Sequence, residues 1–193
     1  MPLPNCQLSD SGEISKAFIL LGAETFIDAC AYVKNLPYGR NKDKRDPYAL
    51  FRDGHGTCST KHALLKRLAD ENGLNGVELI TGIYKMNGLN TPGTAKILWY
   101  YKLEYIPEAH NYLKSGSVRY DFTFPMSEAS VYENDLLNET VIQPHQVTDY
   151  KVALHKNFLS RWLESNKEIN LTLNRLWEIR EECIAALSQN RES

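Results

Sequence analysis

The chain has 193 residues, enough for a domain with a substantial core. With 42% hydrophobic and 24% charged residues it has the composition of an ordinary globular protein, and not of a disordered, collagen-like or disulfide-stapled one. A net charge of -2 argues against a nucleic-acid or anionic-membrane surface, and no apolar run approaches membrane-spanning length.

The first ten residues, with Pro2, Pro4, Asn5 and Ser9, carry no periodicity. From about Ser11 to Asn35 the spacing predicts helix in two pieces. Phe18, Leu21, Phe26, Ala29, Cys30 and Val33 form a stripe, Gly22 marks the break and Pro37 the stop. Residues 37–47 form a charged loop, and Tyr48 to Phe51 are a short apolar lead out of it.

The stretch Gly54-His55-Gly56-Thr57-Cys58 then runs into an amphipathic helix with Ala63, Leu64, Leu65, Leu68 and Ala69 on its apolar face, stopped by Gly73. Thr57 is positioned to cap this helix, making Cys58 its first residue. A thiol there faces unpaired amides and the positive end of the helix dipole, which favour the nucleophilic thiolate. The same amides, that of Cys58 first, can hold an oxyanion.

Residues 77–86 are β-branched and read as a strand, 87–95 as a loop, and the aromatic run 96–106 as a second strand ended by Pro107-Glu108. Two short strand-like runs, 109–114 and 117–124, flank Ser115-Gly116 and read as a hairpin. A turn centred there sets Leu113 opposite Val118, Tyr112 opposite Arg119, Asn111 opposite Tyr120 and His110 opposite Asp121. Opposed residues share a face, with Cβ atoms about 4.5–5.5 Å apart. After an irregular stretch from Pro125, helices are predicted over Val147 to Leu163 and about Leu171 to Leu187. The first carries Tyr150, Ala153, Leu154, Phe158, Leu159 and Trp162 on its apolar side. The fold class is therefore α+β: one domain over 1–193, with a core at about 11–124 and a helical extension at about 145–190.

Cys58, His110 and Asp121 supply a nucleophile, a general base and a residue to orient the base. Gly56-Thr57-Cys58 opening a helix, His110 at the start of a strand and Arg119-Tyr120-Asp121 on the next strand resemble the transglutaminase-like superfamily of the papain-like fold, over roughly residues 24–124. That resemblance implies Cys58 as nucleophile, His110 as base and Asp121 as orienting residue, with a thioester intermediate in acyl transfer at an amide or peptide bond. Ser59 after Cys58 and Asn111-Tyr112 after His110 depart from the aromatic residues many members carry nearby, and leave the substrate class open. Hydrolysis is favoured over crosslinking, because the sequence lacks the appended domains of the large crosslinking enzymes. Tyr38, Arg40 and Asn41 are candidates to border the cleft, with Asn41 and Thr57 near the oxyanion.

The expected partner is a peptide, protein or small amide substrate, with no cofactor, nucleic acid or membrane and no inference about oligomeric state. A non-catalytic peptide-binding member of the fold is the alternative. A weaker one is a metal site built from His55, Cys58 and His62, which lacks an evident fourth ligand. Cys6, Cys30, Cys58 and Cys183 form no short-range pairs, and no secretory signal leads the chain, which together suggest a reducing, cytoplasmic setting.

Overall fold

The computed structural model describes residues 2–189. Among these, seven α-helices accompany a four-stranded antiparallel sheet in the order β3 (Val118–Tyr120), β2 (Ile106–Ser115), β1 (Val77–Met86), β4 (Leu136–Ile142), an α+β architecture. Among the described residues, no helix is long and apolar enough to cross a membrane. The chain groups into two compact units, one of Met1–Thr81, His110–Ala129 and Thr140–Thr148, the other of Gly82–Ala109, Ser130–Glu139 and Asp149–Ser193.

In the first unit, α1 (Glu13–Leu20) and α2 (Phe26–Asn35) are parted at Gly22, whose φ of 84° is cheap only for glycine. The break falls where the sequence suggested. Thr25 and Asp28 cap α2 reciprocally. The start of α1 lacks a capping side chain of its own. The Glu71 carboxylate, from a helix further along the chain, accepts from the Ile14 and Ser15 amides instead. The stretch read as a lead, Tyr48 to Phe51, falls largely in the short helix α3 (Ala49–Asp53).

The central element is α4 (Cys58–Glu71). Thr57 and Thr60 exchange hydrogen bonds across its first turn, the N-cap anticipated from the sequence. Phe18, Phe26, Ala29, Val33, Leu65, Leu68, Leu79 and Leu113 pack as a fully buried core around it. The burial of α4 exceeds its apolar stripe, because Ser59, Thr60, Lys61 and His62 are buried too.

Strand β1 (Val77–Met86) matches its expected span. Residues 96–106 do not form the predicted strand. Pro92, Gly93 and Thr94 make a 3-10 turn, with the Thr94 hydroxyl donating to the Thr91 carbonyl at 2.8 Å, and this feeds the chain into helix α5 (Ala95–Tyr100). Only Leu98 of α5 is buried, while Trp99 stays 81% exposed. A short apolar run does not distinguish strand from helix, and the proline-led turn decides it. Strand β2 (Ile106–Ser115) starts earlier than expected. Pro107 lies at its beginning, where a missing N–H is tolerated, so it does not break the strand and His110 falls mid-strand. Strand β3 is only Val118–Tyr120, shorter than the predicted 117–124. The fourth strand is β4 (Leu136–Ile142), within the stretch read as irregular. It lies at a sheet edge, and most of its residues stay partly exposed, so it lacks a buried-strand pattern.

In the second unit, α6 (Asp149–Ser165) packs against α7 (Leu173–Gln189), the helical pair expected from the sequence. Of the predicted apolar side of α6, Leu159 and Trp162 are buried, but Lys151 and His155 are buried with them and Tyr150 remains 45% exposed. Polar partners explain this. His155 Nε2 donates to the Pro107 carbonyl at 2.7 Å, and beside it Glu108 accepts a forked pair of bonds from Arg180, one of them 2.7 Å.

Candidate active site

The site lies within the first unit, where α4 begins. Tyr38 and Gly56 form a parallel bridge that brings the charged loop alongside the residues before Cys58. Asn41 secures this junction: its amide donates to Asp53 at 3.0 Å and to the His55 carbonyl at 2.8 Å, while its oxygen accepts from the Thr60 hydroxyl at 2.7 Å. Both amide protons of Asn41 are thus committed, and it pins the loop in place of offering a donor to an oxyanion. Tyr38 is half-buried with its ring centroid 5.0 Å from that of Phe124, and Arg40 is exposed, its carbonyl 3.3 Å from His55 Nε2. Cys58 is 9% exposed at the first position of the helix.

His110 and Asp121 meet, although not through the expected register. Leu113 pairs with Tyr120 and Ser115 with Val118, so the turn is centred between Gly116 and Ser117. Gly116 takes a φ of 58° at the first loop position, the sign a II′ turn requires there. The register is therefore shifted by two residues from the predicted one. A two-residue shift preserves which face each side chain occupies, whereas a one-residue slip would have reversed it. Continuing the observed pairing sets Asp121, one residue past β3, opposite Tyr112, two residues from His110 on the same face. That is a diagonal separation the two side chains span. His110 Nε2 lies 2.8 Å from Asp121 Oδ2, and Oδ1 of the same carboxylate accepts from the Thr123 amide at 2.9 Å. His110 is also hydrogen-bonded to Cys58. With Nε2 held by Asp121, Nδ1 is the ring nitrogen left for the sulfur. The three predicted residues are thereby in direct contact.

Four further residues, His62, Ser59, Asn111 and Lys61, hold this arrangement. His62, fully buried one turn along α4, bonds through Nδ1 to the Cys58 carbonyl at 2.8 Å, and its Nε2 accepts from the Phe122 amide at 2.8 Å. Those partners define a neutral ring with the proton on Nδ1. Both nitrogens are used within the protein, so His62 does not join His55 and Cys58 as a metal ligand, and no cluster of three ligating side chains occurs among the described residues. The Ser59 hydroxyl donates to Asn111 Oδ1 at 2.9 Å, while the Asn111 amide donates to the Ile80 carbonyl and the Thr81 hydroxyl, joining α4 to β2 and β1. Lys61, also fully buried, donates to the carbonyls of Leu36 and Thr123 at 2.6 and 2.7 Å.

The electrostatics follow from burial and these contacts. Burial opposes charge on His110, but the Asp121 carboxylate and Cys58 outweigh it and raise its pKa to about 10. Burial likewise opposes ionisation of Asp121, and the His110 ring overcomes that and holds its carboxyl far below the usual range. His62 has no comparable compensation, so desolvation dominates and lowers it to about 4. Burial pushes the Cys30 thiol well up and Cys183 up to about 12. None of the four cysteines is in a disulfide; Cys30 is buried as its helical stripe predicted, and Cys183 is buried too.

Chemically, the arrangement is a thiol at a capped helix N-terminus beside an imidazole that favours its protonated form. No protein-family model matches the chain, and neither does any curated protein or solved structure.

Proposed function

We propose that this protein is a cysteine-dependent acyl-transfer enzyme with a transglutaminase-like, papain-like core, acting on an amide or peptide bond. The observation that carries the reading is the Cys58–His110–Asp121 contact chain at the start of α4, with His110 Nε2 2.8 Å from Asp121. A lone buried cysteine is usually inert, but one bonded to an imidazole that is itself held by a buried carboxylate has the parts of an activated nucleophile.

In the proposed reaction the Cys58 thiolate attacks the amide carbonyl. The backbone amide of Cys58 is the leading donor to the oxyanion that forms. As the C–N bond breaks, His110 passes its proton to the departing nitrogen, leaving a thioester and a neutral imidazole. Water then attacks the thioester, losing a proton to His110 and releasing carboxylic acid and thiolate. An amine in place of water completes a transfer. Asp121 keeps the ring oriented throughout and offsets its charge. The substrate is a peptide, protein or small amide, and the four free thiols fit a reducing, cytoplasmic setting.

Limiting iodoacetamide at about pH 6 tests the reading. Cys58 should be alkylated first, since an ordinary thiol is almost wholly protonated there. His110→Ala should slow that labelling while the circular dichroism of the domain is retained. Mass spectrometry finding Cys6, Cys30 or Cys183 modified ahead of Cys58, or a Cys58 rate that rises only above about pH 8, overturns the proposal.

A further inference from the structure

Helix α6 buries only part of the apolar side its sequence presents. It buries Lys151, His155, Leu159 and Trp162, and the neighbouring row of Tyr150, Leu154, Phe158 and Arg161 lines a groove. The two rows have the same helical spacing, yet the outward one is the more apolar. With Leu137 of β4 on the wall and the fully buried Ile83 of β1 behind it, the groove has a volume of about 650 Å³. It lies wholly within the second unit.

An apolar row is thus left partly open beside a lysine and a histidine that are buried. The volume falls within the roughly 300–1,000 Å³ typical of sites for single small molecules. Arg161 is the one charged side chain on the lining. Its guanidinium makes no ion pair or hydrogen bond among the described residues, and no carboxylate lines the groove to neutralise it. A guanidinium on a mostly apolar lining matches a planar carboxylate on an apolar body, which it can grip with two parallel N–H donors.

We propose that this groove binds an amphipathic monocarboxylate, a medium-chain fatty acid or an aryl-alkyl acid, with its carboxylate on Arg161 and its tail along Tyr150, Leu154, Phe158 and Leu137. The site uses none of the residues of the Cys58 centre and does not depend on the acyl-transfer reading.

The test is calorimetric titration of the full chain with decanoate, with acetate and decyltrimethylammonium as comparators. Decanoate should bind saturably at one site per chain. Acetate lacks the tail and decyltrimethylammonium has the wrong charge, so both should bind at least tenfold more weakly. Arg161→Gln, at an exposed position where folding is not at stake, should weaken decanoate about tenfold or more. Leu154→Asp should abolish its binding, and Cys58→Ala should leave it unchanged. Equal affinity of decanoate for wild type and Arg161→Gln overturns the proposal, as does the absence of saturable binding. So does a wild-type dimer in sedimentation analysis that Leu154→Asp converts to monomer, because the groove is then covered by a second copy of the chain.

Discussion

At the scale of single residues, Asp121 and His62 are both buried in the site, and opposite protonation states follow from their partners. Asp121 is held ionised by His110. Asp121→Asn keeps the size but removes the charge and favours the wrong ring tautomer. It should lower turnover by ~10²- to 10⁴-fold and slow Cys58 alkylation at pH 6, with a much smaller change in denaturation midpoint. Equal losses of folding and activity would make Asp121 structural only. His62, by contrast, stays neutral in the folded chain down to about pH 4, whereas an unfolded histidine takes its proton near 6.5. Between those values the unfolded chain holds more protons, so stability must fall as the pH drops through that window. His62→Gln removes this component. Wild type should therefore lose about 2–3 kcal/mol more than the variant between pH 7 and pH 4.5 in urea titrations.

The elements meet at the first turn of α4, where a cap and a polar clamp act together. Thr57→Ala removes one side of the capping exchange and should cost about 1 kcal/mol. Asn111 is more demanding. It is fully buried and bonded to Ser59, Ile80 and Thr81, so Asn111→Ala strands several buried polar groups and should cost about 2–3 kcal/mol or more. If the clamp also positions Cys58 against His110, Asn111→Ala will slow alkylation at pH 6 in a sample still fully folded. Unchanged labelling would restrict Asn111 to stability. The same clamp explains why His110 works from the middle of β2: its neighbour Asn111 points the other way along the strand and secures the helix that carries the cysteine.

For the molecule as a whole, each unit has its own interior and its own probe. All three tryptophans, Trp99, Trp162 and Trp177, belong to the second unit, whereas Cys58 belongs to the first. Within the second unit the buried Glu108–Arg180 pair is the exposed point of its energetics. Burial opposes ionisation of Glu108, but Arg180 more than compensates and lowers it to about 2. Arg180→Ala leaves that carboxylate without its partner and should cost about 3–5 kcal/mol, seen in the tryptophan fluorescence transition. Pairing Glu108→Gln with Arg180→Met should recover much of the loss. Because the folded carboxyl titrates lower than the unfolded one, the contribution of Glu108 is present above about pH 4.5 and is lost as the pH falls towards 2.

The local chemistry of the chain determined a good part of this protein. Thr57 capping Cys58, Gly22 separating the first helices, the span of β1 and the hairpin at Gly116 depend on neighbours close in sequence, whose preferences survive folding. The meeting of His110 with Asp121 was also legible, because strand alternation has a period of two and a two-residue change of register does not alter it. Tertiary structure alone decided the rest. The aromatic run at 95–100 became helix because a proline-led turn launched it, and β4 became a strand because a sheet edge was there to pair with. Lys61, His62 and Asn111 became interior because distant carbonyls, an amide and a hydroxyl were brought within hydrogen-bonding reach. Burying a polar side chain is favourable only when its partners arrive with it, and partners drawn from four separate parts of the chain leave no periodic mark in the sequence.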